Sequence, residues 1–251
     1  PHGFPPTMTK PTSTHAANPA RPDLPIDPLV PAILDETRSG SVVLLVASPG
    51  SGKTTRVPWA LAERERKRGG GKVYVLEPRR IAAKLSAERV AEENGARLGE
   101  DVGYQFRFER KRGDRTRLVF LTEGTLLREL QSNPELRGVA ALVLDEFHER
   151  HLQGDLAVAL ARRLQLGPRP DLAIVVMSAT LDTGPLEKFL PGAKRIELEA
   201  PPYPIEVEYR PRESVSAFGL EKDVRRAVEY LFAKPDADRF GDLLVFLPGM
   251  A

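Results

Sequence analysis

Five short apolar runs, each followed by a stretch with the periodicity of an amphipathic helix, constrain the fold of this chain most strongly. They read VVLLVA, VYVLE, RLVFLT, VAALVLDE and LAIVVMSA, and they lie between Val42 and Ala179. Such alternation is typical of βαβ units, and strands that are apolar throughout belong to a parallel sheet covered on both faces. The sequence therefore predicts an α/β fold with a mostly parallel sheet and helices on both faces.

A glycine-rich segment, ASPGSGKTT, joins the first apolar run to the helical stretch after it. A loop between a buried strand and a helix start presents several free backbone N–H groups, and the helix dipole adds partial positive charge. Glycines let the backbone curl around phosphates, the lysine reaches the β- and γ-phosphates, and the threonine hydroxyl after it can coordinate Mg²⁺. We therefore predict a nucleoside triphosphate site formed by Pro49, Gly50, Ser51, Gly52, Lys53, Thr54 and Thr55.

The usual phosphate-loop pattern starts with glycine, where this chain has Ala47. A last strand residue tolerates a methyl group if its φ is negative, so the prediction of a phosphate loop stands.

Two carboxylates follow the fourth apolar run, in the segment LVLDEFHE from Leu142 to Glu149. Phosphate-loop enzymes hold Mg²⁺ with a carboxylate at the end of a neighbouring strand and use another group to orient the attacking water. We predict that Asp145 and Thr54 hold the metal, that Glu146 is the base or water-positioning group, and that Lys53 completes the catalytic set. A solvated helix cap is the alternative, and the position directly after a buried strand favours catalysis.

The ordered set ASPGSGKTT, EPRR, TEG, DEFH and SAT on successive strand ends resembles the superfamily 2 DEAH/DExH-box helicases, in particular the bacterial HrpB type. The resemblance runs from about Leu24 to the C-terminus and includes VGYQFRFE, LTEGTLLREL and VFLPG. Phe147 stands where the literal DEAH motif has alanine. The family implies an NTPase of two RecA-like domains that remodels nucleic acid, often RNA, with ATP and Mg²⁺ bound between them.

Carried over residue by residue, the resemblance also implies nucleic-acid contacts and coupling residues. The predicted nucleic-acid contacts are Pro78, Arg79, Arg80, Thr122, Glu123 and Gly124. The motif that links ATP state to domain movement matches Ser178, Ala179 and Thr180, and His148 matches the residue that couples the γ-phosphate to the opposite domain. Arginine side chains and helix-start N–H groups suit phosphate binding. A solvated first turn for the two arginines and a helix cap for Ser178–Thr180 are the simpler alternatives.

A basic cluster follows GYQFRFE, in what the pattern predicts to be a hairpin or loop. Its members are Arg107, Arg110, Lys111, Arg112, Arg115 and Arg117. Contact with nucleic acid and a solvated charge run are both open interpretations.

Shifts in composition indicate the domain limits. Residues 1–23 are rich in proline and predict a disordered leader. We expect a RecA-like ATP-binding domain over 24–199, a linker over 200–212 and the start of a second RecA-like domain over 213–251. In this last part of the chain we expect edge-like pieces at Lys194–Glu199 and Ile205–Arg210, a helix over Leu220–Ala233, and an apolar run at Asp242–Leu247.

Composition narrows the function classes. The 37 Lys and Arg residues nearly balance 35 Asp and Glu, so bulk charge does not identify a nucleic-acid binder. Cysteine is absent, which excludes disulfides and thiolate chemistry and suits a reducing compartment, so we expect a cytoplasmic protein. No apolar run approaches the ~20 residues of a membrane span, and we expect no membrane partner. The sequence makes no prediction of oligomeric state.

The family's arginine-rich motif, resembling QRxGRAGR, does not occur before Ala251. Because such arginines contribute about 10³–10⁵ to the rate of phosphoryl transfer, we expect these 251 residues to bind nucleotide with negligible turnover. The alternatives are a phosphate-loop NTPase of another class and a nucleotide- or nucleic-acid-binding module without turnover.

Overall fold

The computed structural model describes residues 22–179, 184–198, 206–209, 219–234 and 242–247. The chain divides into two compact units, Pro1–Pro202 and Tyr203–Ala251. The predicted leader lies almost entirely outside the described residues, as do Thr180 and most of the predicted linker. The predicted limits of the domains stay predictions.

The described residues of the first unit form a sheet of eight strands in the order β4-β3-β5-β2-β6-β7-β1-β8, with helices packed on it. The strands are β1 Val42–Ala47, β2 Lys72–Glu77, β3 Val102–Phe106, β4 Glu109–Lys111, β5 Leu118–Thr122, β6 Val139–Leu144, β7 Ala173–Ser178 and β8 Lys194–Leu198. Neighbouring strands are parallel except β3 and β4, which form an antiparallel hairpin. The predicted α/β class and mostly parallel sheet are confirmed.

Helix α1 Val30–Glu36 precedes the sheet. The α-helices described between its strands are α2 Lys53–Arg68, α3 Arg80–Glu93, α4 Glu123–Ser132, α5 Leu152–Leu166 and α6 Gly184–Phe189. Alternate strand residues bury against different helices. Val43 and Leu45 pack in one core with α1, α2 and α3, whereas Val42 and Leu44 pack in a second core with α4, α5 and α6. Both faces are therefore covered, which is why the strands are apolar at every position.

Helix α3 ends before Gly95, which adopts the left-handed conformation at φ 60° that commonly follows a helix end. The large apolar residues Ile81 and Leu85 do not form its buried face, since they are 73% and 58% exposed. The helix instead buries Ala83, Ala87, Val90 and Ala91 against the first core. Small side chains let a helix approach a sheet closely. The positions of the large apolar residues alone would therefore assign the wrong face of this helix to the core.

The described part of the second unit contains one helix, α7 Leu220–Phe232, at the predicted position. The edge-like strand expected at Ile205–Arg210 is not found, since the described residues 206–209 form no strand. Residues 242–247 form no regular element either, and Leu244 and Phe246 are 75% and 87% exposed. An apolar run becomes a strand only where another strand pairs with it, and the described residues provide none. By contrast, β8 forms the expected edge strand beside β1. None of the described helices combines the length and apolar character needed to cross a membrane.

Candidate functional site

The phosphate loop connects β1 to α2 at the carboxyl end of the sheet. Gly50 and Gly52 have φ of +76° and +94°, a left-handed conformation that favours glycine. A Cβ on Gly52 would lie 2.6 Å from Leu24 Cδ1, so the preceding segment packs directly on the loop. Ala47 ends β1 without a positive φ and is fully buried, which explains why alanine fits there. The loop thus has the curled backbone that the sequence predicts.

Asp145 follows β6 and lies beside the first turn of α2. The Thr54 hydroxyl donates a hydrogen bond to Asp145 Oδ2, and the backbone N–H of Glu146 donates to Oδ1 at 2.8 Å. Burial is the main reason that the pKa of Asp145 is raised to about 6, while the bond from Thr54 opposes the rise. A hydroxyl and a carboxylate held together in a buried site fit Mg²⁺, which takes one or two protein oxygens and fills its remaining positions with phosphate and water.

Glu146 extends from the same strand end toward the phosphate loop. Its Oε1 lies 3.5 Å from Lys53 Nζ, and its Oε2 lies 3.4 Å from His148 Nδ1. The backbone of Glu146 is left-handed at φ 49° and ψ 34°, an uncommon conformation for a residue with a side chain. Such conformations cluster at functional sites, where the surrounding structure holds them.

His148 connects Glu146 to the end of β7. The backbone N–H of Ala179 lies 3.3 Å from His148 Nδ1 and can donate to it. The same nitrogen cannot accept from Ala179 and donate to Glu146 at once, so its contact depends on whether Nδ1 carries a hydrogen. Ser178, the last residue of β7, is buried next to Ala179. The structure thus places three of the predicted coupling residues, His148, Ser178 and Ala179, at the edge of the sheet that carries the phosphate loop, which we call the nucleotide edge. Thr180 lies outside the described residues.

The two predicted nucleic-acid segments lie side by side, because β2 and β5 are neighbours and Glu77 is opposite Thr122. Pro78 and Arg79 lead from β2 into α3, whose first residue is Arg80. Thr122 precedes α4, and its hydroxyl lies 2.9 Å from that of Thr125. Both segments therefore start a helix at the same edge of the sheet.

The side chains of the two nucleic-acid segments differ in exposure. Arg79 is exposed and contacts both carboxylate oxygens of Glu149 at 3.0 Å. Glu123 points inward, is 4% exposed, and its Oε1 lies 3.3 Å from His151 Nε2. Burial raises the pKa of Glu123. At Gly124 an added Cβ would lie 3.4 Å from the Gln153 side chain. Any contact of Glu123 with nucleic acid would thus use its main chain.

A buried carboxyl that the sequence reasoning missed completes the site. Glu77 ends β2, is 2% exposed, and accepts a hydrogen bond from Ser86 Oγ at 3.2 Å. Burial, followed by the charge of nearby Asp145, raises the pKa of Glu77 to about 9. A signal for it existed, because VYVLE is a buried strand that ends in a charged residue at the functional edge.

The basic cluster divides into structural and exposed members. Arg112 donates to Tyr74 Oη at 2.8 Å and contacts Glu129, while Arg117 donates to the Gly70 carbonyl at 2.8 Å. The remaining four are exposed: Arg107, Arg110, Lys111 and Arg115. The cluster is therefore neither one binding surface nor one solvated run.

Comparison with known proteins identifies the family. The sequence model of the DEAD/DEAH box helicase family matches residues 29–189, which contain the phosphate loop, both carboxylates and both predicted nucleic-acid segments. The chain belongs to the DEAD/DEAH box helicase family. It is 40% identical to the ATP-dependent RNA helicase HrpB of Escherichia coli over 90% of this chain and 27% of that protein. The RecA-like fold expected from the sequence is confirmed by a crystal structure of E. coli HrpB, with a TM-score of 0.79 over 91% of this chain.

Eukaryotic members of this helicase family match the chain at a similar level. The probable ATP-dependent RNA helicase DHR2 of Saccharomyces cerevisiae is 37% identical over 91% of this chain and 30% of its own length. The probable ATP-dependent RNA helicase DHX34 of Homo sapiens is 38% identical over 92% of this chain and 20% of its own length. The chain thus spans less than a third of each of these relatives.

Proposed function

We propose that this chain is the nucleotide-binding part of an ATP-dependent helicase that acts on nucleic acid, with RNA as the substrate class. The observation that carries this proposal is the convergence of Lys53, Thr54, Asp145, Glu146 and His148 at one edge of the sheet. The three relatives described above are named as ATP-dependent RNA helicases, which supports RNA. Because the chain spans only part of each, the activity is proposed for the full-length protein, in the cytoplasm.

Each side chain has a distinct role in this proposal. The loop N–H groups and Lys53 bind the phosphates, and Thr54 with Asp145 holds Mg²⁺, which neutralises charge on the reacting phosphate when bound. Glu146 orients the attacking water and takes its proton. Its partial exposure and its contact with Lys53 place a carboxylate beside the phosphate-binding lysine. His148 contacts both this carboxylate and the backbone N–H of Ala179, so a change at Glu146 alters the contact of His148 with the end of β7.

The nucleic acid binds across the starts of α3 and α4. Arg79 and Arg80 supply charge for backbone phosphates, and the helix-start N–H groups after Thr122 add a second anion contact. Of the exposed members of the basic cluster, Arg107 directly follows the carboxyl end of β3 and extends this surface. Contacts of this kind read charge and shape, so we expect little sequence preference and a strong dependence on salt.

Nucleotide binding is tested with Lys53→Ala in the 251-residue chain. Removing the ammonium should abolish ATP·Mg²⁺ binding measured by calorimetry or weaken it at least tenfold. Lys67→Ala removes an exposed lysine from the same helix and should leave the affinity unchanged. Equal affinities of the two variants would remove the basis of the proposal.

Helicase function is tested by measuring the ATPase rate of the full-length protein with and without single-stranded RNA. We expect stimulation by RNA, and strand separation that requires ATP. Equal rates with and without RNA would instead favour a phosphate-loop NTPase of another class. Nucleotide and RNA binding without any turnover would indicate a binding module.

A further inference from the structure

The turn after the catalytic carboxylates contacts two different parts of the site. On one side, Glu146 and His148 lie toward Lys53 and Ala179. On the other side, Glu149 and His151 reach the starts of α3 and α4, where they contact Arg79 and Glu123. We call the segment from Glu146 to His151 the connecting turn. It is the part of the described chain that touches the nucleotide edge and both predicted nucleic-acid segments.

The backbone of the connecting turn is strained at two points. Glu146 and Arg150 have φ of 49° and 36°, and a short 3-10 helix, Phe147–Glu149, lies between them. Residues with a side chain persist in this region only where surrounding contacts hold them. The shape of the turn, and with it the position of Glu146, therefore depends on the contacts made by its other residues.

The two contacts on the nucleic-acid side differ in strength. Arg79 and Glu149 are 72% and 31% exposed at their side chains, so water screens their attraction. The side chains of Glu123 and His151 are 6% and 40% exposed, and His151 Nδ1 accepts the Gly154 N–H, which leaves Nε2 to donate to Glu123. The contact of His151 is thus the firm anchor of the turn, and the contact of Glu149 is the one that a competitor can replace.

We propose that Glu149 is a positioning residue that stands in for a nucleic-acid phosphate. It occupies Arg79 while no nucleic acid is bound, because a carboxylate and a phosphate offer the same kind of oxygen acceptors to a guanidinium. A backbone phosphate that takes Arg79 releases Glu149, and the connecting turn, fixed at His151, then changes shape toward Glu146. This inference rests on the proposed nucleic-acid contact of Arg79, and it supplies the route by which RNA stimulates hydrolysis.

Glu149→Ala in the full-length protein tests this role. Without the stand-in, the Kd for single-stranded RNA, measured by fluorescence anisotropy without nucleotide, should fall three- to tenfold. The ATPase rate without RNA should rise toward the RNA-saturated rate, while that saturated rate and the KM for ATP stay within twofold. Glu135→Ala, which removes an exposed carboxylate at the opposite edge of the sheet, should change neither quantity.

A double-mutant cycle separates the stand-in role from a general effect of charge on RNA binding. If Glu149 acts through Arg79, Glu149→Ala should no longer tighten RNA binding once Arg79→Ala is present. A gain in affinity that persists in the Arg79→Ala background, or no gain in either background, would overturn the stand-in role. Failure of Arg79→Ala to weaken RNA binding would instead contradict the proposed nucleic-acid contact and remove the stand-in role with it.

The anchor is tested with His151→Asn. Asparagine still caps α5 by accepting the Gly154 N–H, but it is too short to reach Glu123. We expect RNA affinity within twofold of the wild type and stimulation of the ATPase reduced at least threefold, because release of Glu149 no longer moves Glu146. Full stimulation in this variant would show that the turn needs no anchor at His151.

Discussion

Glu77 provides the most direct physical test of the buried site, because the structure predicts that it is protonated at neutral pH. Its carboxyl is 2% exposed, and its pKa is about 9 where an exposed glutamate has 4.5. Burial is the larger cause and the charge of Asp145 the next. Glu77→Gln has nearly the same shape as the protonated acid, and its amide oxygen can still accept the hydrogen bond from Ser86 Oγ. The substitution therefore removes the titration and little else.

The sign of the effect follows from proton linkage. Between pH 4.5 and about 9 the native state keeps the Glu77 proton and the unfolded state has lost it, so the free energy of unfolding falls as pH rises. Each pH unit in this window is worth about 1.4 kcal/mol. From pH 5 to pH 7, two units, the wild type should lose roughly 3 kcal/mol relative to Glu77→Gln.

The assay is urea unfolding of the 251-residue chain at pH 5, 6, 7 and 8, with EDTA present to remove divalent cations and no nucleotide. We expect the difference between Glu77→Gln and the wild type to grow steadily across this range in favour of the variant. Glu135→Gln, in which an exposed carboxylate is changed, provides the baseline. A difference that is constant from pH 5 to pH 8 would refute a protonated Glu77.

Three further predictions concern the surroundings of the phosphate loop. Arg56 is fully buried and pairs with the carboxylates of Asp27 and Glu93. Because removing one partner of a buried ion pair costs about 3–5 kcal/mol, Arg56→Ala should lower the free energy of unfolding, measured in urea, by that amount. Gly52→Ala should weaken ATP binding at least tenfold in calorimetry, because the new Cβ would lie 2.6 Å from Leu24. Gly69→Ala, at φ +68° with open space around it, should leave ATP affinity unchanged. Glu146→Gln in the full-length protein should bind ATP but lower kcat about 10²–10⁴-fold, the usual range for a positioned general base, and normal hydrolysis would assign the base elsewhere.

Much of the fold could be predicted from sequence because the strands are buried on both faces. The burial of Val42 to Val46 in β1 on two cores produces the continuous apolar run that identified it. The curled backbone of the phosphate loop was predictable for a similar reason, since Gly50 and Gly52 supply its left-handed conformation locally. Helix α3 was only half predictable, because its alanine face carries almost no hydrophobic signal.

The contacts that join the strand ends of the site could not be predicted, because they depend on which strands are neighbours. Nothing local to Glu149 or His151 indicates Arg79 or Glu123, which precede them by many residues along the chain. These contacts arise only because β5, β2 and β6 are adjacent in the sheet. Glu77 differs, because its place at the end of a buried strand is visible in the sequence and burial is the main cause of its raised pKa. Only the smaller contribution of Asp145 depends on which strand is the neighbour.

The strand order also suggests why this edge carries so many carboxyl groups. Glu77, Asp145 and Glu123 are all buried at the ends of adjacent strands, and burial raises the pKa of each. In the proposed function the site receives Mg²⁺ and a polyphosphate, so it needs negative charge for the metal but gains nothing from excess repulsion toward the nucleotide. A Glu77 that keeps its proton leaves Asp145 as the metal-binding charge, while Glu123 is turned toward His151. Of the buried acids, Asp145 thus serves the metal and Glu123 the connecting turn. Glu77→Gln should therefore change ATP·Mg²⁺ affinity by less than about threefold, whereas Asp145→Asn should weaken it by more than that.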